Sequence, residues 1–307
     1  MKVVYLSGGV GGARLAHGLA HALPPGELSI VVNTGDDFWH WGLRICPDLD
    51  TVMYTLADLG AVERGWGLAD ESFAALEWVK RYGGDSWFAL GDRDLATHLM
   101  RTQWLRVDGQ DLTQVTARLC QGLGVAHTLL PMSDTPYETL IELDGRTLPF
   151  QRWLVQERAL PDVRAVRFAG EPSTSPALRA ALDAADVVVI GPSNPYVSID
   201  PILACPGVRE RVALRPVIAV SPIVRGQAVK GPLARMLHTL AGAPASPASI
   251  AAHYGSLLNG LVGEVGDELP VQRLPCHEAH TVMTTRAASL ELAREVLSFA
   301  ERMLQLR

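Results

Sequence analysis

Cysteine is scarce in this 307-residue chain, with Cys46, Cys120, Cys205 and Cys276 standing singly along it. No two have the CxxC spacing of a zinc or redox site, and so few in a chain this long imply no disulfide framework. Three of them sit among apolar neighbours, as core residues do; Cys46 lies in a polar stretch and its role is open. Long apolar runs are also missing. Nothing approaches the roughly 18 unbroken apolar residues of a membrane span, and the opening MKVVYLSGG is too short in apolar length for a signal peptide. A cytoplasmic, reducing compartment is therefore expected. There is no excess of positive charge, with 27 Lys+Arg against 33 Asp+Glu and a formal charge of −6. That balance excludes a broad nucleic-acid footprint and leaves small molecules as the expected partners, with local basic residues free to hold an anion. Disorder is excluded by the ordinary 48% hydrophobic and 20% charged content.

What is present is an alternation of strand and helix patterns. KVVYLSG is a short apolar run suited to a strand buried on both faces, ARLAHGLAHAL has helical spacing, and LSIVVNTG is a second strand. This order opens a doubly wound sheet. Residues 49–122 read as mostly helical, followed by strand-like HTLLPMSD, YETLIELDG and RTLPFQRWLV, the last two forming a hairpin at DG. Alternation returns with ALRAALDAA, DVVVIGPSN, PVIAVSPIV and KGPLARMLHTLAG. LVGEV and PVQRLPCH are candidate last strands, and ASLELAREVLSFAERML closes as an amphipathic helix. The expected fold is α/β: a Rossmann-like, doubly wound, mostly parallel sheet. Its body covers about 1–50 and 180–307, with a mixed helix-and-hairpin segment inserted at about 51–179. GAPASPAS reads as a loop.

Several stretches carry chemistry. SGGVGGAR puts Gly8, Gly9, Gly11 and Gly12 between the first strand and its helix, where backbone N–H groups can approach a phosphate. It is neither a Walker sequence nor GxGxxG, and a tight turn is the bland alternative. NTGDDFWHWGLRICPDLD ends the second strand with Asp36 and Asp37, then crowds aromatics including Trp39 before Asp48 and Asp50. Such acids can cap a helix or ligate Mg²⁺, and at a phosphate site a carboxylate cluster makes electrostatic sense with a cation between its members. WFALGDRDLATHLMR places Asp92, Arg93 and Asp94 at a helix start, as a cap or a ligand corner. GPSNPYVSID, with Ser193 and Asn194, and SPIVRGQAVKGP, with Ser221, Arg225 and Lys230, are proline-stiffened loops at strand ends. Arg225 and Lys230 are available for phosphates. No nucleophile elbow, HExxH or kinase set occurs.

In order, SGGVGGAR, NTGDDFWHWGLRICPDLDTVMYTL, WFALGDRDLATHLMRT, PMSDTPYETLI, IGPSNPYVSIDPIL and VSPIVRGQAVKGP resemble the CofD family, the 2-phospho-lactate transferases of deazaflavin coenzyme F(420) biosynthesis, phosphoenolpyruvate-type members included. The likeness is collinear to about residue 232. HEAHTVMTT looks like the family's late TDT-x-M segment but has His280 where an Asp is expected, and it is assigned no role. The resemblance implies a transfer of a phospho-three-carbon-acid group from a guanosine-diphospho-linked donor to the terminal hydroxyl of the deazaflavin Fo, releasing GMP. It implies Asp50, Arg93 and Trp39 as deazaflavin contacts and Asp36 and Asp50 as catalytic carboxylates binding Mg²⁺. Gly8, Gly9, Gly11, Gly12, Ser193, Asn194 and Ser221 would line the nucleotide and phosphate cleft. Whether the acid is lactate, enolpyruvate or glycerate is not written in any residue. The rival reading is a non-catalytic sugar-nucleotide-binding regulator of the same fold. Those proteins resemble VADDGGSSGRLR after the second strand, a place occupied here by NTGDDFWHWGLRICPDLD. A dinucleotide oxidoreductase is disfavoured by the absent GxGxxG. A homodimer is the fold-level expectation, cyclic dimers being the commonest oligomers.

Overall fold

The computed structural model of the protein describes residues 1–305; positions 306 and 307, the end of the expected body, lie outside the described residues. The chain opens with β1 (Val3–Ser7), α1 (Gly9–Ala22) and β2 (Leu28–Val32). A small hairpin, β3 (Phe38–His40) and β4 (Leu43–Ile45), leads into α2 (Pro47–Leu56). Then come α3 (Ala74–Arg81), α4 (Asp92–Arg106), α5 (Leu112–Gly122) and β5 (Thr128–Pro131). The strands β6 (Tyr137–Leu143), β7 (Arg146–Pro149) and β8 (Ala165–Gly170) form a separate antiparallel sheet. The second half holds α6 (Pro176–Ala184), β9 (Val187–Ile190), α7 (Asp200–Leu203), α8 (Val208–Ala213) and β10 (Val217–Val220). The hairpin β11 (Ile223–Val224) and β12 (Gln227–Ala228) precedes α9 (Leu233–Ala241) and α10 (Pro247–Tyr254). The chain then runs through β13 (Gly260–Glu264), β14 (Cys276–Ala279) and α11 (Arg286–Gln305).

Seven strands build one parallel sheet in the order β14-β13-β10-β9-β1-β2-β5. The apolar runs VVYLS, VVVI and VIAV are buried at every position because helices cover both faces. Along β1 the side chains alternate between two cores. Val3 and Tyr5 pack with residues of α1, α2 and α11, whereas Val4 and Leu6 pack with residues of α6, α8, α9 and α10. From β1 the chain runs outward through β2 and β5 on one side. It returns to the other side of β1 with β9, and runs outward again through β10 and β13. Strand order therefore reverses between β1 and β9, and the carboxyl ends of those strands flank the crevice where such sheets take ligands.

The α/β class and the doubly wound body match the expectation, with three differences of detail. β5 belongs to the main sheet, paired with β2, so the segment expected as one insertion at 51–179 is interrupted by a sheet strand. With four residues on an edge, its apolar run carried no sign of which sheet it would join. The strand expected over RTLPFQRWLV stops at Pro149, and the chain tightens into a π-helical turn at Arg152–Gln156 that buries Trp153. Of PVQRLPCH only Cys276 and His277 reach β14.

The tightest helix contact joins α1 to α11. A methyl group on Gly18 would overlap the backbone carbonyl oxygen of Ser289 and lie 3.1 Å from the Ala293 Cβ. Gly18→Ala gains helix propensity, about 1 kcal/mol, but overpacks backbone that cannot yield. We expect a net destabilisation of about 1–3 kcal/mol in urea unfolding; an unchanged or raised midpoint would show that the two helices separate freely.

Candidate active site

The crevice is built on loops that hold one another. After β1, Gly9 adopts a left-handed backbone (φ 66°) that lets α1 begin at once. The Ser193 hydroxyl, in the loop after β9, donates to the Gly8 carbonyl (2.8 Å) and accepts from the Gly8 N–H (3.2 Å), so it joins the two strand ends across the switch point. Asn194 accepts from the Tyr196 N–H (3.0 Å) and Ser221 from the Ile223 N–H (3.1 Å). These polar side chains shape their own loops, and the cleft between them is what they contribute.

Asp48 ties this frame together. It stands in the first turn of α2, behind Pro47, and reaches the start of α1, where its Oδ1 accepts the Gly9 N–H (2.8 Å). Its Oδ2 accepts from Asn33 at the end of β2 (3.0 Å). Asp36 lies beside it in the same cleft. Burial raises both carboxyls, and the charge on Asp48 pushes Asp36 further, well above the usual carboxylate range. Asp36 Oδ1 is buried with no hydrogen-bond partner among the described residues, while its Oδ2 is 3.5 Å from the Gln151 amide. Two buried carboxylates with an unsatisfied oxygen suit a hard divalent cation, which takes carboxylate and phosphate oxygens. The donor set fits Mg²⁺.

Two spaces meet at this point. One, of about 340 Å³, runs over Gly8, Gly9 and Gly11 and past Ser193, Asn194 and Ser221 to Lys230, with Asp36 and Asp48 on its wall. The other, of about 360 Å³, lies among Trp66, Trp87, Phe88 and Tyr54, with Asp48, Asp50, Asp94 and His98 on its polar side. Gly9, Val10, Asp48, Gln151, Leu154 and Lys230 line both.

With that geometry, comparison with known proteins is direct. Residues 3–269 match the profile of the family described as 2-phospho-L-lactate transferase CofD. The chain belongs to the CofD family. It is 42% identical to a phosphoenolpyruvate transferase of Streptomyces griseus over 98% of this chain and 99% of that one. To a 2-phospho-L-lactate transferase of Methanospirillum hungatei it is 38% identical, over 96% and 99%. A UPF0052-family protein from Bacillus halodurans shares the fold, with a TM-score of 0.65 at 16% identity over 96% of this chain and 98% of that one. Membership puts this CofD-family chain among the transferases of coenzyme F(420) biosynthesis. No helix among the described residues is long and apolar enough to cross a membrane.

Gly8, Gly9, Gly11, Ser193, Asn194 and Ser221 gather along one cleft, with Asp36 on its wall. Gly12 is buried in α1, its carbonyl accepting from the Tyr5 hydroxyl, and does not line it. Asp50 is elsewhere. The expectation paired it with Asp36 on a metal, but residues two apart on a helix point roughly 200° from one another. Asp48 therefore turns to the glycine loop while Asp50 turns to α4. There Arg101 grips both Asp50 carboxylate oxygens, at 3.0 Å to Oδ2 and in a short contact with Oδ1, and also donates to His98 Nδ1 (3.1 Å). Asp94, 3.3 Å from His98 Nε2, receives the Tyr54 hydroxyl (2.7 Å). Asp94, His98 and Arg101 recur at helical spacing and are the buried residues of α4, a polar stripe legible in DRDLATHLMR.

Arg93 is exposed, its guanidinium 3.5 Å from the Ala69 carbonyl, and borders neither cavity. Trp39 is 45% exposed beneath the Arg106 guanidinium (4.0 Å) and lines a separate space of about 320 Å³. The rings beside Asp50 belong instead to Trp87 and Phe88, at the head of the WFALGDRD stretch, and to Trp66, which reaches the cavity from a loop that carries no motif. Thr281 and Met283, in the stretch assigned no role, also line the cleft over the glycine loop, while His280 is 85% exposed, 3.3 Å from Glu264.

The Asp50–Arg101 pair yields a prediction. Arg101→Met strands a buried carboxylate and should cost about 3–5 kcal/mol; adding Asp50→Asn should recover a good part of that loss. A cost below about 1 kcal/mol for Arg101→Met in urea unfolding would mean that the pair is solvated.

Proposed function

We propose that the protein transfers a phospho-three-carbon-acid group from a guanosine-diphospho-linked donor to the terminal hydroxyl of the deazaflavin Fo. The observation that carries this reading is the meeting of two cavities of similar size at one acidic wall. The crevice over the glycine loop suits the donor, whose phosphates would lie at the start of α1. The cavity among Trp66, Trp87 and Phe88 suits a flat three-ring acceptor, with Asp50, Asp94 and Tyr54 offering polar partners at its edge.

In this reading the acceptor oxygen bonds to the phosphorus that carries the acid. The bond from that phosphorus to the GMP phosphate breaks, and its electron pair leaves with GMP. The hydroxyl proton passes to Asp48, the member of the Asp36–Asp48 pair that lines both cavities. Asp50 is less suited to that task because Arg101 holds both its oxygens. Asp36 and Asp48 would hold a Mg²⁺ ion, which when bound supplies neutralisation of phosphate charge. The remaining task is placement of two substrates in line, the main contribution proteins make to phosphoryl transfer. The frame of Ser193, Asp48 and Asn33 keeps the loops in register for it.

Fo is fluorescent, so titration with the protein should change its emission, and GDP should bind alongside Fo without displacing it. A UDP-sugar should compete poorly; tight UDP-sugar binding with no Fo binding would replace the transferase with a regulator. Mass spectrometry of the product from Fo and each donor would assign the acid, since enolpyruvate and lactate forms differ only in the saturation of one carbon–carbon bond. Chelation by EDTA should abolish turnover, and Mg²⁺ should raise the melting temperature of the wild type but not of Asp36→Asn. Asp48→Asn should lower turnover about 10²-fold or more while Fo binding persists. Full turnover in EDTA, or in folded Asp48→Asn, would remove the acid pair from the mechanism.

A further inference from the structure

The charged residues lining the donor crevice are four: the acids Asp36 and Asp48 and the cations Arg14 and Lys230. A divalent cation would only balance the two carboxylates. A donor with two phosphates and a carboxylic acid brings further negative charge into the same space, and two side-chain cations remain to meet it. Their situations differ. Arg14 is fixed by a hydrogen bond to the Met283 carbonyl (2.6 Å). Lys230 has no hydrogen bond or ion pair among the described residues and is an exposed side chain in the open cleft. Partial desolvation, and then the neighbouring charge of Arg14, lower its pKa. An ammonium with no counter-ion in the protein is free to make a charge-assisted hydrogen bond to an anion placed against it.

Its position says which anion. Of the four, Asp48 and Lys230 also line the acceptor cavity, so Lys230 faces the place where the new bond must form. A second loop confines it there. Gly65, with a left-handed backbone (φ 75°), presses its Cα side against the ammonium, where a Cβ would overlap Nζ. The next residue, Trp66, covers the acceptor cavity. Lys230 therefore has backbone on one side and the junction of the cavities on the other.

We propose that Lys230 is the ligand of the transferred phosphate, the β-phosphate of the donor, and holds it at the junction of the two cavities. This rests on the transferase reading above. It separates Lys230 from residues that merely attract the nucleotide, because GMP lacks the phosphate in question and GDP has it.

Calorimetric titrations of GDP and GMP into wild type, Lys230→Met and Lys230→Arg, with Mg²⁺ present, test it. Wild type should bind GDP more tightly than GMP. Lys230→Met should lose at least about tenfold in GDP affinity, the scale of one charge-assisted hydrogen bond, with GMP and Fo affinities within about twofold of wild type. Lys230→Arg, which keeps the charge, should retain most of the GDP preference. An unchanged GDP-to-GMP ratio in Lys230→Met, or an equal loss for both nucleotides, would overturn the assignment. Failure of the transferase reading looks different: wild type itself would bind neither guanine nucleotide nor Fo.

Discussion

One carboxylate, that of Asp48, stands at the meeting of two helix N-termini, and the active-site frame depends on it. It sits in the first turn of α2 and accepts the first N–H of α1. Both helix dipoles favour negative charge at that spot, while burial opposes it. The same backbone donors that hold Asp48 would attract a phosphate. On the proposed function a carboxylate at a phosphate site needs compensation, which the cations Arg14 and Lys230 in the same crevice would supply. Asn33 extends the arrangement to the end of β2, so the glycine loop, the second strand and α2 move together or not at all.

The two walls of the crevice come from distant parts of the sequence. Acids arrive on the loop after β2 and on α2, Lys230 on the loop before α9, and Ser193 on the loop after β9. Asp36 and Ser193 directly follow the parallel strands β2 and β9, while Asp48 and Lys230 come after β2 and β10 by way of the short antiparallel hairpins β3–β4 and β11–β12. Parallel strands end at one edge of the sheet. The fold thereby converts a set of loops scattered over about two hundred residues of chain into one rim, a consequence of βα connectivity. The antiparallel β6–β8 sheet and its π-helical turn add the last wall, with Gln151 lining both cavities.

This division of labour governs what could be read from the sequence. Strands such as VVYLS, VVVI and VIAV announce themselves because double burial demands unbroken apolar runs. The glycine loop and the polar loops after β9 and β10 announce themselves by position. The hairpin FWH–LRI and the strand AVRFAG did not, since three residues, or a half-exposed strand, leave too little pattern to recognise. Trp66, Gln151 and Met283 were illegible for another reason: their place at the site is set by tertiary packing of loops. Asp48 is the instructive case. It was visible as part of PDLD, yet the choice between it and Asp50 turned on helix geometry, which sends the two in nearly opposite directions.

That choice has a chemical consequence. Asp50 looks away from the Asp36–Asp48 cleft into a buried chain of Arg101, His98, Asp94 and Tyr54. Charges in such a chain are costly to bury and are tolerated only when each has a partner. The partners make it rigid, and rigidity is what an aromatic cavity needs if a flat acceptor is to present one hydroxyl in line with one phosphorus. Asp48 faces the crevice over the glycine loop from the same helix turn. Because the two acids share the first turn of α2, the spacing of the proposed donor and acceptor sites would be set by the helix itself, not by loops. A change that tilts α2 would therefore move Asp48 and Asp50 together, so on the proposed function the two binding steps would be mechanically joined at this turn.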